Sequence, residues 1–386
     1  MFVFLLGGSL MENNKFFPEV HGNLGFGCMR LPMNGDKVNY DEFIKMADAF
    51  TDAGFNYFDT AHGYISGKSE TAIRDCVAKR YARSRFLLAN KLTEPYFNSQ
   101  EEIRPFVESQ LRLCGVDYFD FYLMHAQNAK NCKKFTRCKA YETCYGLKEA
   151  GLIRHFGLSF HDKADVLDMI LTEHPEVEFV QIQFNYLDYN DPGVESRKCY
   201  EVCAKHNKPV VVMEPVKGGN LVNFRPEADK VLRDLNGGSN ASYAIRFAAT
   251  PPMMSTVLSG MSNMEQMLDN ISAMKDFKPI SEKENEALAK VCSILKQQDL
   301  IPCTSCRYCV EENECPKKIR IPDMFSALNT QEAFKDEKPK AYYNNTLIAN
   351  GNGKASDCIR CGKCEKVCPQ HLPIRELLTK VAAAFE

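Results

Sequence analysis

Eight cysteines close to the end of this chain constrain it more than any other feature. They fall in two runs, Cys303-x-x-Cys306-x-x-Cys309-x5-Cys315-Pro316 and Cys358-x-x-Cys361-x-x-Cys364-x3-Cys368-Pro369. Three cysteines at two-residue gaps let a single turn of backbone offer three corners of an iron-sulfur cube. The proline after each fourth cysteine turns the chain away, because it has no amide hydrogen and cannot continue a helix. Structural zinc is the competing reading, since C-x-x-C pairs also hold tetrahedral zinc. Four-ligand zinc leaves the third cysteine step of each run, and both Cys-Pro endings, without a purpose. The runs therefore predict two 4Fe-4S clusters.

The second run resembles the bacterial ferredoxins in its spacing, and in two-cluster ferredoxins the fourth cysteine of each run crosses to the other cluster. That resemblance implies one cluster on Cys303, Cys306, Cys309 and Cys368, and another on Cys358, Cys361, Cys364 and Cys315. The first run departs from it, with five residues, Val310 to Glu314, before Cys315. The charge-rich Ser281-Glu-Lys-Glu-Asn-Glu segment reads as a joining helix, and further helices are expected over Ile321–Leu328 and near Ala333–Tyr343. Residues 281–386 are thus expected to form a small, mainly helical ferredoxin-like domain, and no internal repeat stands out.

A chain of 386 residues exceeds one ordinary core, so two domains are expected. A formal net charge of −2 gives no electrostatic ground for a nucleic-acid partner or an anionic membrane surface. Residues 1–19 read as an N-terminal extension. Their apolar start, Met1-Phe-Val-Phe-Leu-Leu, lacks the basic flank of a secretory signal and is too short to span a membrane, and Met11 is an alternative start. The remaining cysteines, Cys132, Cys138 and Cys144 among them, match no ligand spacing and read as free thiols. A reducing cytoplasm, in an anaerobic cell, suits them.

Upstream of the cysteine runs, short apolar stretches alternate with amphipathic ones, as in βα units. Strands are expected at Leu24–Met29, Tyr57–Asp59, Phe86–Ala89, Phe119–Met124, His155–Ser159, Phe179–Gln183, Val210–Glu214 and Thr256–Leu258. Helices are expected between them, for example over Tyr40–Ala53, Glu101–Cys114 and Glu195–His206. Eight βα units over residues 20–280 predict an α/β fold, a (β/α)8 TIM barrel. A doubly wound open sheet would bring a Gly-x-Gly-x-x-Gly turn after an early strand, whereas Gly25-Phe-Gly27 continues Cys-Met-Arg.

Barrel enzymes carry their reacting groups at the carboxyl ends of the strands. Asp59, Tyr64, Lys91 and His125 fall there on consecutive units and make a proton-donating set. An ammonium next to a tyrosine favours phenolate, a carboxylate holds the ammonium, and an imidazole orients a substrate oxygen. Taken singly, each has a plainer reading as a helix cap, a solvated strand end or a satisfied core group.

Phe55-Asn-Tyr-Phe-Asp59-Thr-Ala-His-Gly-Tyr64, Gly67-x-Ser69-Glu70, Asn90-Lys91 and Met124-His125 together resemble the aldo-keto reductases over about residues 20–275. Gly25-Phe-Gly-Cys-Met-Arg-Leu-Pro32 with the second cysteine run looks like the subfamily that carries a ferredoxin-type extension. The resemblance implies Tyr64 as general acid, Lys91 and Asp59 as its tuning pair, and His125 as the group that aligns a carbonyl. It also implies NADPH or NADH across the barrel mouth. Ser159 and Gln181 match the carboxamide positions, Pro215, Lys217 and Gly218 the loop near the pyrophosphate, and Gly260, Ser262, Gln266 and Asn270 the last phosphate and adenosine segment. Three positions depart from the family pattern. Phe160 follows Ser159 where many relatives have asparagine, Met213 stands where many stack an aromatic ring, and Gln266 stands where NADPH-selective members carry arginine.

The expectation is an NAD(P)H-linked oxidoreductase that interconverts a small-molecule carbonyl and its alcohol. The alternative is an electron-transfer module, with the barrel docking a flavin, a ferredoxin or another redox protein. Nicotinamide moves two electrons as hydride and each cluster moves one, so a converter such as a flavin would be needed for direct exchange.

Overall fold

Parallel strands buried on both faces read as short, near-continuous apolar runs, and eight such runs here close on one another. The strands are β1 (Leu24–Gly27), β2 (Tyr57–Asp59), β3 (Leu87–Leu92), β4 (Phe119–Gln127), β5 (Ile153–Phe160), β6 (Phe179–Gln183), β7 (Val210–Met213) and β8 (Met254–Ser259). In this computed structural model, which describes residues 14–296, 300–311, 315–334 and 338–386, each strand pairs in parallel with the next. β1 closes the ring onto β8, with Leu24 opposite Val257. The expected (β/α)8 barrel is the fold. Residues 1–13, and with them the choice between Met1 and Met11, lie outside the described residues, as does part of the helix expected near Ala333–Tyr343.

Helices follow the strands where the pattern places them, among them α1 (Tyr40–Asp52), α2 (Lys68–Ile73), α3 (Gln100–Cys114), α4 (Ser196–Lys205) and α5 (Met264–Lys275). Asn39 caps α1 by accepting from the Glu42 amide, and Asn263 caps α5 by accepting from the Gln266 amide. At the end of α3, Gly115 takes a φ of 68°, the left-handed turn that stops a helix at least cost.

Strand alternation sorts the barrel interior into layers. Tyr57, Leu87, Ala89, Phe121, Leu123, Phe179, Val211 and Leu258 form an apolar filling. Phe17 and Val20 join it, so the described end of the N-terminal segment packs into the barrel rather than standing apart. Asn56 anchors this segment by donating to the Glu19 carbonyl at 2.9 Å and accepting from the His21 amide at 3.0 Å. One step further along the same faces come Asp59, Lys91, His125, Ser159 and Gln181, all buried. The register is consistent with this layer: Asp59 sits opposite Ala89, Lys91 opposite Leu123, and Ser159 opposite Gln181.

The chain divides into two compact units, one of residues 1–215 and 241–285, the other of residues 216–240 and 286–386. The second takes in Val216–Asn240, a segment that the sequence reading placed wholly in the barrel. The charge-rich helix α6 (Glu282–Lys296) is where it was expected. It begins in a capping box, in which Ser281 accepts from the Glu284 amide and Glu284 accepts from the Ser281 amide.

The C-terminal unit carries a repeat that the sequence hides. Left-handed residues stand at matching places in the two cysteine runs: Ser305 and Arg360 (φ 52° and 56°), Arg307 and Gly362 (68° and 72°), Lys318 and His371 (53° and 50°). After the fourth cysteine, Lys318 donates its amide to the Cys315 carbonyl at 2.8 Å, as His371 does to Cys368 at 3.0 Å. Each run then enters a helix, α7 (Ile321–Phe334) or α8 (Ile374–Phe385). Both helices bury apolar residues in one core, Phe325 and Leu328 with Leu378 and Val381. The repeat escapes a sequence reading because the same backbone shape is met by Arg307 in one run and glycine in the other.

Gly157 of β5 faces the barrel interior, where an added Cβ would come within 2.5 Å of the Phe179 ring. That ring is edge-packed on Phe17 and Phe121 and has no room to yield. Gly157→Ala is expected to destabilise the barrel by about 1–3 kcal/mol in urea unfolding.

Candidate active site and iron-sulfur centre

Lysine in a barrel interior needs a partner, and Lys91 has two. Its Nζ donates to Asp59 Oδ1 at 2.7 Å and to the Thr60 carbonyl at 2.8 Å. The ammonium also lies 4.9 Å from the centre of the Tyr64 ring. The Tyr64 and His125 rings are 6.1 Å apart, edge to face. The four residues expected to act together are thus brought together. Lys91 lies inside β3, not beyond its end, so its charge is desolvated and not merely surface-bound.

Tyr64 is set by the turn after β2. Its carbonyl accepts from the Gly67 amide at 3.1 Å, and Ile65, Ser66 and Gly67 follow with φ of 54°, 53° and 82°. A β-branched residue in the left-handed region is strained, and such strain persists only where the surroundings enforce it. The Gly67-x-Ser69-Glu70 motif supplies that enforcement. Ser69 Oγ donates to the Cys28 carbonyl at 2.9 Å and pairs with Thr60 Oγ1 at 2.7 Å. Glu70, fully buried, accepts from Asn90 Nδ2 at 2.8 Å and holds His62 at 2.7 Å.

His125 owes its direction to an irregularity in β4. The register shifts between Met124 and Gln127, and Ala126 takes a φ of 51°. The Ala126 amide then donates to Ser159 Oγ at 2.8 Å, tying the bulge to β5. Thr93 Oγ1 shares a hydrogen bond with His125 Nδ1 at 2.8 Å, which orients the ring.

Burial dominates the electrostatics. It raises the Asp59 carboxyl and lowers the Lys91 ammonium, and in each case the partner's charge opposes it. Burial, the Lys91 charge and His161 together hold the His125 imidazole well below its ordinary range. Neutral at physiological pH, it can donate a hydrogen bond without competing with Lys91 for negative charge.

The cysteines gather in the second unit. Cys309, Cys315, Cys358, Cys361 and Cys364 line one cavity, with an empty volume of about 370 Å³ including its open mouth. That lining contains the ligand set implied for the Cys358-led cluster, including the crossed Cys315. Cys309 stands within electrostatic reach of Cys303 and Cys368, two of its three expected co-ligands, and also of Cys364, expected on the other cluster. Among the described residues, no three histidine, cysteine, aspartate or glutamate side chains are drawn close enough to hold a single metal ion.

Against known proteins, the profile described as the aldo/keto reductase family matches residues 23–292. The chain belongs to the aldo/keto reductase family. It is an oxidoreductase, and residues 302–372 match a second profile, the 4Fe-4S dicluster domain. An uncharacterized oxidoreductase of Bacillus subtilis, YqkF, is 24% identical over 69% of this chain and 90% of its own length. The NADH-specific methylglyoxal reductase of Escherichia coli is 23% identical, covering 72% of this chain and 84% of its own. An aldo-keto reductase from Klebsiella pneumoniae, solved in complex with NADPH, shares the fold with a TM-score of 0.58 and 19% identity, over 70% of this chain and 90% of its own.

The family's nucleotide positions fare unequally in this aldo/keto reductase. Gln181 is buried with its Oε1 unpaired, an acceptor suited to a carboxamide NH₂. Ser262, Gln266 and Asn270 are engaged within the barrel unit. Ser262 Oγ donates to the Arg30 carbonyl at 2.8 Å, Gln266 accepts from the Ser262 amide at 2.8 Å, and buried Asn270 donates to Ser259 Oγ at 2.8 Å. Pro215 ends the first part of the barrel unit, while Lys217 and Gly218 fall in the second unit. Sequence reasoning missed Thr93, Gln110 and Arg30. Gln110 of α3 reaches back to Asn90 Oδ1 and the Lys91 carbonyl, both at 3.1 Å. The Arg30 side chain lies along Gly260, where an added Cβ would sit 3.2 Å from it.

Lys91→Met and Asp59→Asn each strand one partner in the interior, so each is expected to cost about 3–5 kcal/mol, and the double variant less than their sum, in a double-mutant cycle of unfolding free energies. For His125, the unfolded ring takes a proton near 6.5 while the folded ring resists it. Protons therefore favour the unfolded chain below about pH 6.5, and stability falls as pH drops, by up to about 1.4 kcal/mol per pH unit. His125→Gln is expected to flatten that part of the unfolding profile.

Proposed function

We propose that this protein is an NAD(P)H-linked carbonyl reductase, or alcohol dehydrogenase in reverse, with the barrel layer around Lys91 as its catalytic centre. The observation that carries the reading is the placement of one ammonium, 2.7 Å from Asp59 and over the Tyr64 ring, with neutral His125 across from it. A reduced nicotinamide, when bound, supplies hydride to the carbonyl carbon. Tyr64 gives its hydroxyl proton to the carbonyl oxygen, so the C=O becomes CH–OH and the tyrosine is left as phenolate until solvent returns a proton. Lys91 stabilises that negative charge, and Asp59 keeps Lys91 charged and in place. His125, aligned by Thr93, donates from Nε2 to the same oxygen and polarises it.

Ser159 and Gln181 would hold the carboxamide, and Ser262, Gln266 and the amino end of α5 the distal phosphate, where backbone amides and the helix dipole favour an anion. Arg30, along Gly260, adds a cation that the Gln266 position lacks. The named activity of the Escherichia coli relative and the ligand of the Klebsiella structure agree with a small carbonyl substrate and a nicotinamide cofactor. The reading includes two 4Fe-4S clusters, one on Cys303, Cys306, Cys309 and Cys368 and one on Cys315, Cys358, Cys361 and Cys364. It places the protein in the cytoplasm, where such clusters and thiols stay reduced. No helix among the described residues is long and apolar enough to cross a membrane.

The test is NAD(P)H oxidation by cluster-loaded, anaerobically handled protein over a panel of small aldehydes and ketones that includes methylglyoxal. Tyr64→Phe is expected to lower kcat/KM about 10²–10⁴-fold while nucleotide affinity changes little. Unchanged turnover in that variant would overturn the assignment. Thr93→Val should cost about tenfold in kcat through loss of one orienting hydrogen bond.

A further inference from the structure

The turn after β7 does something that its expected role at a pyrophosphate does not require. Lys217, Gly218 and Gly219 are consecutive left-handed residues, with φ of 47°, 64° and 98°. Their turn belongs to the C-terminal unit and reaches both cysteine loops of one cluster. Asn220 Nδ2 donates to the Cys303 carbonyl at 3.1 Å. Gly218 lies so close to the Thr304 backbone that no Cβ fits between them. Lys217, only 3% exposed, donates from Nζ to Gln370 Oε1 at 3.1 Å, two residues beyond Cys368. Cys303 and Cys368 are 65 residues apart in the chain, yet a four-residue turn touches the loops of both.

The Gln370 amide is the telling group. An ammonium only donates, so it takes the amide oxygen and fixes which way the amide faces. That leaves Nε2, with two hydrogens, buried and without a partner in the protein. An orphaned buried donor is costly unless something accepts from it. The acceptors that the proposed Cys303-led cluster would bring to this loop are its sulfurs.

We infer that Gln370 donates a hydrogen bond to a sulfur of the cluster held by Cys303, Cys306, Cys309 and Cys368, and that Lys217 fixes that amide and adds a buried positive charge. Both effects stabilise the reduced, more negative cluster and raise its reduction potential, because hydrogen bonds to sulfur and local charge set potentials in such centres. Lys217 and Gln370 are therefore positioning and tuning residues for one cluster and not the other. The inference rests on the two-cluster reading above and is independent of which carbonyl, if any, the barrel reduces.

The test uses full-length protein reconstituted anaerobically with iron and sulfide, and titrated with dithionite and mediators under EPR detection. Lys217→Met and Gln370→Leu are each expected to shift one of the two midpoint potentials to more negative values and leave the other in place, with Lys217→Arg shifting it less than Lys217→Met. Unmodified protein labelled with ¹⁵N at glutamine side chains should show a nitrogen hyperfine coupling to one reduced cluster, and this measurement decides the matter where a variant does not load. Full iron uptake with both potentials unmoved and no nitrogen coupling overturns the inference alone. Failure of the unmodified protein to take up iron overturns the cluster reading beneath it.

Discussion

A charged lysine inside a closed barrel is the constraint on which the site depends. Lys91 is 1% exposed, and a buried charge of that kind is tolerated only with a close partner and further hydrogen bonds. Asp59 and the Thr60 carbonyl provide them. Both come from β2 and the residue after it, so the pair also fixes how β2 and β3 align at their carboxyl ends. Everything else in the layer is arranged around that charge. The Tyr64 turn accepts strain at Ile65 to bring the ring over the ammonium, and a bulge in β4 swings His125 to face the ring. Glu70, Asn90 and Gln110 satisfy the polar groups left on the outer side. A surface lysine would need none of this support.

The C-terminal unit solves a different problem with a similar economy of parts. Left-handed residues at equivalent steps turn each cysteine run back on itself, and a helix after each Cys-Pro packs the two halves into one apolar core. The segment leaving β7, Val216–Asn240, belongs to this unit. Lys217 and Gly218 thus stand in the surroundings of a cysteine loop, at positions for which the family resemblance implies a nucleotide.

Much of this was legible in the sequence, for identifiable reasons. Doubly buried parallel strands must be short and apolar, so all eight announced themselves, and β2, from Tyr57 to Asp59, and β6, from Phe179 to Gln183, did so to the residue. A polar residue just past such a run has few plain explanations when four occur on successive units, and the expectation that Asp59, Tyr64, Lys91 and His125 lie together rested on that pattern. Thr93 was not, because a threonine after a strand looks like any helix-initiating residue until an imidazole is seen beside it. Gln110 sits mid-helix, where nothing local distinguishes a solvated amide from one that braces the strand carrying Lys91. The allegiance of Val216–Asn240 and the backbone repeat of the cysteine runs are contacts and dihedral angles, which spacing alone does not encode.

The central claim is that the Lys91 layer is a hydride-transfer site with Tyr64 as the acid. It is tested most directly by following deuterium from NAD(P)H labelled at the nicotinamide 4-position into an alcohol product, in the unmodified protein and in Tyr64→Phe. The account predicts one deuterium on the carbinol carbon of the product, from one face of the nicotinamide, and near-complete loss of that transfer in the variant. Product that forms with solvent hydrogen on that carbon, or label that transfers equally well without the Tyr64 hydroxyl, would contradict it.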